Sequence, residues 1–137
     1  MNKPDKKCII VDGSCIQPPG IIEYRGMLYP TKEIIFSKGP IDGGTNNIAE
    51  FLGIVSGMMY SVKHNLLLPV YSDSQTAIAW VRKGRHNSTM TRNKENENIF
   101  QMLEQTEEWL ARNKNKIAVE KWQTKLWGEI PCDYGRK

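Results

Sequence analysis

Thr45-Asn46-Asn47-Ile48-Ala49-Glu50-Phe51 opens a long run of apolar residues at helical spacing. From Ile48 onward, Phe51, Leu52, Val55, Met58, Met59 and Val62 recur on one face, and the spacing predicts a helix from about Asn47 to His64. The methionines on that face read as core fillers. Ala49, Gly53 and Gly57 add a stripe of small residues at every fourth position. A glycine inside a helix costs about 1 kcal/mol relative to alanine, so close packing against a neighbouring backbone is expected along the stripe. Glu50 has two readings. Asn47 followed three residues later by a glutamate satisfies a capping box. Alternatively, Glu50 points out of the fold toward other carboxylates.

Outward toward the N-terminus, Ile21 to Tyr29 and Lys32 to Ser37 are extended segments, with Arg25-Gly26 or Pro30-Thr31 as candidate bends. Cys8-Ile9-Ile10-Val11 is a short β-branched run that stops at Asp12-Gly13, itself a strong turn signal. The loop from Ile16 to Gly20, with Pro18-Pro19-Gly20, is too long for a tight hairpin. Three strands this close in sequence predict an antiparallel meander. Outward toward the C-terminus, Leu66 to Tyr71 is nearly all apolar and reads as a strand buried on both faces, with Pro69 where a strand start accepts it. Ser72-Asp73-Ser74 ends it and a helix from Gln75 to Arg82 follows directly. A polar loop from Lys83 to Asn93 leads to a helix from about Lys94 to Asn113, with Ile99, Met102, Leu103, Thr106, Trp109 and Leu110 as its inner face. Ile117 to Trp122 alternates like a last strand. The order predicts an α/β domain: one five-stranded mixed sheet, a meander followed by parallel strands, flanked by helices. The whole chain, residues 1–137, reads as one such domain.

The totals narrow the chemistry. Net charge is +4, a mild hint of an anionic partner. No apolar run is long enough to span a bilayer, and the basic start lacks the apolar segment of a signal peptide. Cys8, Cys15 and Cys132 form no CxxC pair and read as free thiols, with a cytoplasmic location expected. Two histidines far from these thiols and from each other leave no zinc set. There is no GxSxG, P-loop or GxGxxG.

What remains is a set of acids. Asp12 and Asp73 each close a buried strand, and parallel neighbouring strands would bring both to the sheet edge where such folds place ligands. Glu50 opens the helix that leads into the Asp73 strand, and Asp133 follows the last strand. Each has a plain alternative: a turn at Asp12, an N-cap at Asp73 or Ser74, a solvated terminus at Asp133. Crowded carboxylates repel unless a cation holds them, and oxygen-only ligands suit Mg²⁺ or Mn²⁺. Two such ions are a known device for phosphodiester hydrolysis.

Val11-Asp12-Gly13-Ser14-Cys15, Thr45-Asn46-Asn47-Ile48-Ala49-Glu50 and Tyr71-Ser72-Asp73-Ser74-Gln75 resemble, in order and spacing, the three central motifs of type 1 ribonuclease H. Asp133 is similar in place to the family's fourth acid. The resemblance implies an endonuclease that cuts the RNA strand of RNA–DNA hybrids; a monomer is expected. It implies that Asp12, Glu50, Asp73 and Asp133 hold two Mg²⁺ ions. It further implies a nucleic-acid-binding set of Ser14, Cys15, Thr45, Asn46, Asn47, Gln75, Lys83 and Arg85, with the amides in the minor groove, where 2′-hydroxyls mark RNA. Capping remains an alternative for Asn46 and Asn47. The chain departs from the family in lacking a histidine between Trp122 and Asp133, where Gln123 or Glu129 stands. Its basic protrusion is reduced to Lys83-Gly84-Arg85, and no separate hybrid-binding module is expected. The ending, Trp127-Gly128-Glu129-Ile130-Pro131 through Gly135-Arg136-Lys137, resembles a bacterial subgroup. Two rivals share the fold: a hybrid-binding protein with weak or no catalysis, and a DNA nuclease such as a resolvase.

Overall fold

The central strand, β1 (Cys8–Ile16), runs straight through the Asp12-Gly13 pair that reads locally as a turn. Pairing overrides the local signal: Asp12 lies opposite Arg25 and Gly13 opposite Tyr24 in the antiparallel ladder with β2 (Ile21–Tyr29). The computed structural model describes residues 3–18 and 20–135, so Pro19, Arg136 and Lys137 of the quoted segments lie outside the described residues. β3 (Ile34–Ile41) starts later than expected and continues through Gly39-Pro40. It is the sheet's edge, where a residue without an N–H breaks no ladder on its outer side.

The sheet order is β3-β2-β1-β4-β5, with β4 (Val70–Ser72) and β5 (Val119–Lys121) parallel to their neighbours. β4 is shorter than the apolar run predicts. Leu66, Leu67 and Leu68 instead wrap the end of α1 (Asn46–Lys63). Ser61 holds them: its carbonyl accepts from the Leu66 and Leu67 amides, and its hydroxyl accepts from the Leu68 amide at 2.7 Å. α2 (Gln75–Lys83) follows β4 directly, and α3 (Glu97–Asn113) begins three residues after the expected start. There Asn93 and Asn96 exchange side-chain-to-backbone bonds and form a separate turn. A short α4 (Thr124–Trp127), which periodicity cannot detect at that length, follows β5.

Alternation along β1 sorts the core. Ile9 and Val11 face α1, α2 and α3 in the main cluster, with Phe51, Met58, Trp80 and Leu103. Cys8 and Ile10 face the other side, where Met27, Tyr29, Trp122, Ile130 and Cys132 form a second cluster. Asp12 shares the face of Ile10, so the last segment of the chain covers the strand beside it. Among the described residues, no helix is long and apolar enough to cross a membrane.

Candidate active site

The β1–β4 ladder pairs only Ile9 with Val70 and Ile10 with Tyr71. Asp12 is therefore inside β1 but just past the end of its parallel partner, and Asp73 is the residue after β4. Both acids leave the sheet at the same edge, as the parallel arrangement predicts. Ser72 and Ser74 fix the turn at Asp73. The Ser72 hydroxyl accepts from the Ser74 amide at 3.0 Å, and Ser74 caps α2 by accepting from Ala77 at 3.2 Å.

Glu50 is not part of a capping box. The N-cap of α1 is Thr45, whose hydroxyl accepts from the Ile48 amide at 3.3 Å. That shifts Asn46 and Asn47 into the helix as its first two residues and puts Glu50 in the second turn, facing β1. Its Oε1 accepts from the Gly13 amide at 3.1 Å. The approach is possible because residue 13 is glycine. A Cβ there would lie 2.4 Å from the Ala49 carbonyl carbon and 2.5 Å from the Glu50 nitrogen. Of the two glycines in the stripe, Gly57 is closely packed, with Val11 Cγ1 3.0 Å from where a Cβ would sit. At Gly53 the nearest atom would be 3.4 Å away, an ordinary contact, so close packing does not explain that glycine.

One carboxylate oxygen from each of Asp12, Glu50 and Asp73 lies within 4.8 Å of the others. Asp12 is 0% and Glu50 1% exposed, while Asp73 is half-buried. A second triad, Asp73, Glu129 and Asp133, meets the same limit. Asp73 belongs to both, and through it all four expected acids form one continuous cluster. Glu129, singled out in the sequence only as an occupant of the loop, joins it. Gln123 does not; it lines a groove beside α2. Asp12 also accepts from the Tyr134 amide at 3.0 Å through Oδ2. Cys132 is buried next to the acids, and burial first, then the charge of Asp12, push its thiol far above the ordinary range.

The expected nucleic-acid contacts lie on several elements: β1, the start of α1 and both ends of α2. Asn46, Asn47 and Gln75 are exposed at the starts of α1 and α2. Cys15 is half-buried, its thiol 3.6 Å from the Gly44 carbonyl. Thr45 is half-buried and occupied as a cap, and Ser14 is 2% exposed, which keeps its side chain inside the protein. Lys83 lines the groove with Gln75, Arg82, Lys121, Thr124 and Lys125. The groove has a volume of about 910 Å³. Arg85 is exposed just past the end of α2 and is not part of that lining. No ion pair among the described residues engages Arg82, Lys83, Lys121 or Lys125.

Sequence reasoning missed Arg25. The sequence offers Arg25-Gly26 as a candidate bend, but β2 runs through both residues, and the partners of Arg25 lie more than 100 positions away in the sequence. Its Nε donates to the Cys132 carbonyl at 2.9 Å and its Nη2 to the Asp133 carbonyl at 3.0 Å.

The RNase H family model matches residues 4–123, a span that contains Asp12, Glu50 and Asp73 and ends before Glu129 and Asp133. Among solved structures, the N-terminal RNase H domain of rv2228c from Mycobacterium tuberculosis, determined as a fusion with maltose-binding protein, is 19% identical with a TM-score of 0.54. The match covers 85% of each chain. RNase H1 of the halophilic archaeon Halobacterium salinarum NRC-1 is 15% identical with a TM-score of 0.50, over 84% of this chain and 81% of that one. LC11-RNase H1, isolated from compost and determined in complex with an RNA/DNA hybrid, is 12% identical with a TM-score of 0.52 over 88% of each. These structures share the five-stranded mixed sheet and its helices: the fold is RNase H-like.

Proposed function

We propose a reaction from one premise: the chain belongs to the RNase H family. The reaction is hydrolysis of the RNA strand of an RNA–DNA hybrid, with two Mg²⁺ (or Mn²⁺) ions as cofactors. The observation that carries it is the pair of carboxylate triads sharing Asp73 at one sheet edge. The donor set fits the ions. It is all oxygen, which suits hard cations, and carboxylates this close and this buried need positive charge between them. Asp12, Glu50 and Asp73 would hold one ion, and Asp73 with Asp133 and Glu129 a second. When bound, divalent ions lower the pKa of water and stabilise the departing oxygen.

The chain's own residues supply positioning. Gly13 lets α1 approach β1 and its amide holds one Glu50 oxygen, so that carboxylate does not have to be ordered during the reaction. The Ser74 cap anchors the turn that carries Asp73. The exposed amides of Asn46, Asn47 and Gln75, at the starts of the helices that carry Glu50 and follow Asp73, offer donors and acceptors suited to 2′-hydroxyls and base edges in a minor groove. Support for a hybrid as substrate also comes from LC11-RNase H1, which was determined with one bound.

The test uses end-labelled RNA–DNA hybrid, duplex DNA and duplex RNA, each with Mg²⁺ and with EDTA. The expected result is cleavage of the hybrid's RNA strand with Mg²⁺ alone, and its loss in Asp73→Asn. Parental rates in Asp73→Asn refute the metal assignment. Cleavage of duplex DNA in preference to the hybrid refutes the substrate assignment. Tight hybrid binding without cleavage by the parent chain selects the non-catalytic rival.

A further inference from the structure

We propose that Arg25 is a positioning residue whose guanidinium locks the chain's last turn against β1, so that Asp133 meets Asp73. The proposal rests on the reading of the acid cluster as the reaction centre. Asp12, Glu50 and Asp73 are each built into a strand, a helix or a capped turn, but Asp133 is not. It lies in an irregular segment after α4, where its amide donates to the Ile130 carbonyl at 2.9 Å and its Oδ2 accepts from the Gly135 amide at 3.0 Å, both within the same segment. Bonds within the segment set its local shape, and bonds to other elements set where it sits on the sheet.

Arg25 holds it at three consecutive residues. The two N–H groups of its fork grip the carbonyls of Cys132 and Asp133, and its guanidinium carbon lies 4.3 Å from the centre of the Tyr134 ring. Because Arg25 is the direct cross-strand partner of Asp12, the clamp sits on the same rung of the sheet as the first acid. Asp12 completes the fastening by accepting from the Tyr134 amide. One rung of the β1–β2 ladder thus sets the registry between the N-terminal acid and the C-terminal one. The Cys132 and Ile130 side chains in the second apolar cluster hold the segment to the sheet, but burial is not directional and does not set where Asp133 points.

A lysine at position 25 keeps the charge beside Asp12 and loses the planar fork that grips two carbonyls at once. The experiment therefore compares the parent chain, Arg25→Lys and Tyr134→Leu in three measurements. The first is amide hydrogen exchange of residues 133–135 in the metal-free protein, the second is calorimetric titration with Mn²⁺ without nucleic acid, and the third is hybrid cleavage as a function of Mg²⁺. Hydrogen bonds from a charged donor predict about tenfold or faster exchange at the Tyr134 amide in Arg25→Lys. The Mn²⁺ affinity should weaken and the Mg²⁺ requirement for cleavage should rise, while the β1 amides keep their protection. Tyr134→Leu, which leaves the sheet untouched, should loosen the same amides. The proposal is overturned if tail exchange and metal titrations in Arg25→Lys match the parent. It is also overturned if exchange rises uniformly across the sheet in Arg25→Lys while Tyr134→Leu leaves the tail protected. The exchange measurement needs no catalysis. A selective loosening of the tail in a chain that cleaves no hybrid would leave the clamp standing and refute the proposed reaction instead.

Discussion

Gly13→Ala tests how the helix start and the central strand jointly place Glu50. The added Cβ would lie 2.4, 2.5 and 2.6 Å from the Ala49 carbonyl carbon, the Glu50 nitrogen and the Ala49 oxygen. Ordinary contact begins at 3.4 Å, so the deficit is close to 1 Å. The atoms it meets are backbone and cannot rotate away. Either α1 retreats from β1 or β1 bends, and in both cases the peptide that carries Glu50 moves relative to Asp12. Overpacking of this kind costs about 1–3 kcal/mol. In a domain of this size that lowers the melting temperature by roughly 4 °C per kcal/mol. The catalytic cost is larger: a displacement of about 1 Å at a reacting group loses roughly a hundredfold in rate.

The two effects separate in the assay. A domain of ordinary stability, about 5–15 kcal/mol, stays almost wholly folded at 25 °C after losing 3. Single-turnover cleavage at saturating hybrid then reports geometry and not unfolded chain. The matched control is Gly53→Ala on the same helix, where the nearest atom is Tyr24 Cβ at 3.4 Å. There alanine fits and relieves a helix penalty of about 1 kcal/mol, so the melting temperature should rise and the rate hold. If Gly13→Ala melts lower yet cleaves at the parental rate, the strain is absorbed elsewhere and the close approach does not place Glu50. If it matches the parent in both, the approach itself is not as tight as these distances require.

Gly57→Ala should fall short of Gly53→Ala in thermal melts, since its Cβ meets Val11, Ile9 and Val70 at 3.0–3.3 Å and those side chains must shift. Thr45→Ala should cost about 1 kcal/mol in chemical denaturation through loss of the α1 cap; Thr45→Ser, which keeps the hydroxyl, should cost little. Alkylation at pH 8 should reach Cys15 first. Burial raises all three thiols, which lowers their reactive thiolate fraction at any pH below the shifted value, but Cys8 (pushed up to about 11) and Cys132 are also sterically shielded, so mass spectrometry should find them modified only in denaturant. Glu129→Gln should reduce cleavage less than Asp73→Asn, because Glu129 is exposed and belongs to one triad while Asp73 belongs to both.

The acids were legible because each sits beside a strong local signal. Glu50 lies in a helix whose apolar spacing is unmistakable, and Asp73 between a buried strand and a serine that caps the next helix. Where the local signal was ambiguous, pairing decided against it. Asp12-Gly13 has the chemistry of a turn, but the β2 ladder continues across it, and its glycine serves a helix packed on the sheet. Leu66 to Leu68 has the composition of a strand, but a single serine in the preceding helix turns it into a loop. Arg25 read only as half of a candidate bend, yet it lies inside β2. Its role depends on which strand residue faces Asp12 and on where the last turn of the chain lands, and neither is written in residues near 25. The family match ends before Asp133, while the cluster includes it. The first three acids lie in regular elements or, for Asp73, in the short turn between two of them, where sequence patterns are local. The fourth is held by a side chain from a distant strand, so its placement is a tertiary fact, and substitution at position 25 is the way to probe it.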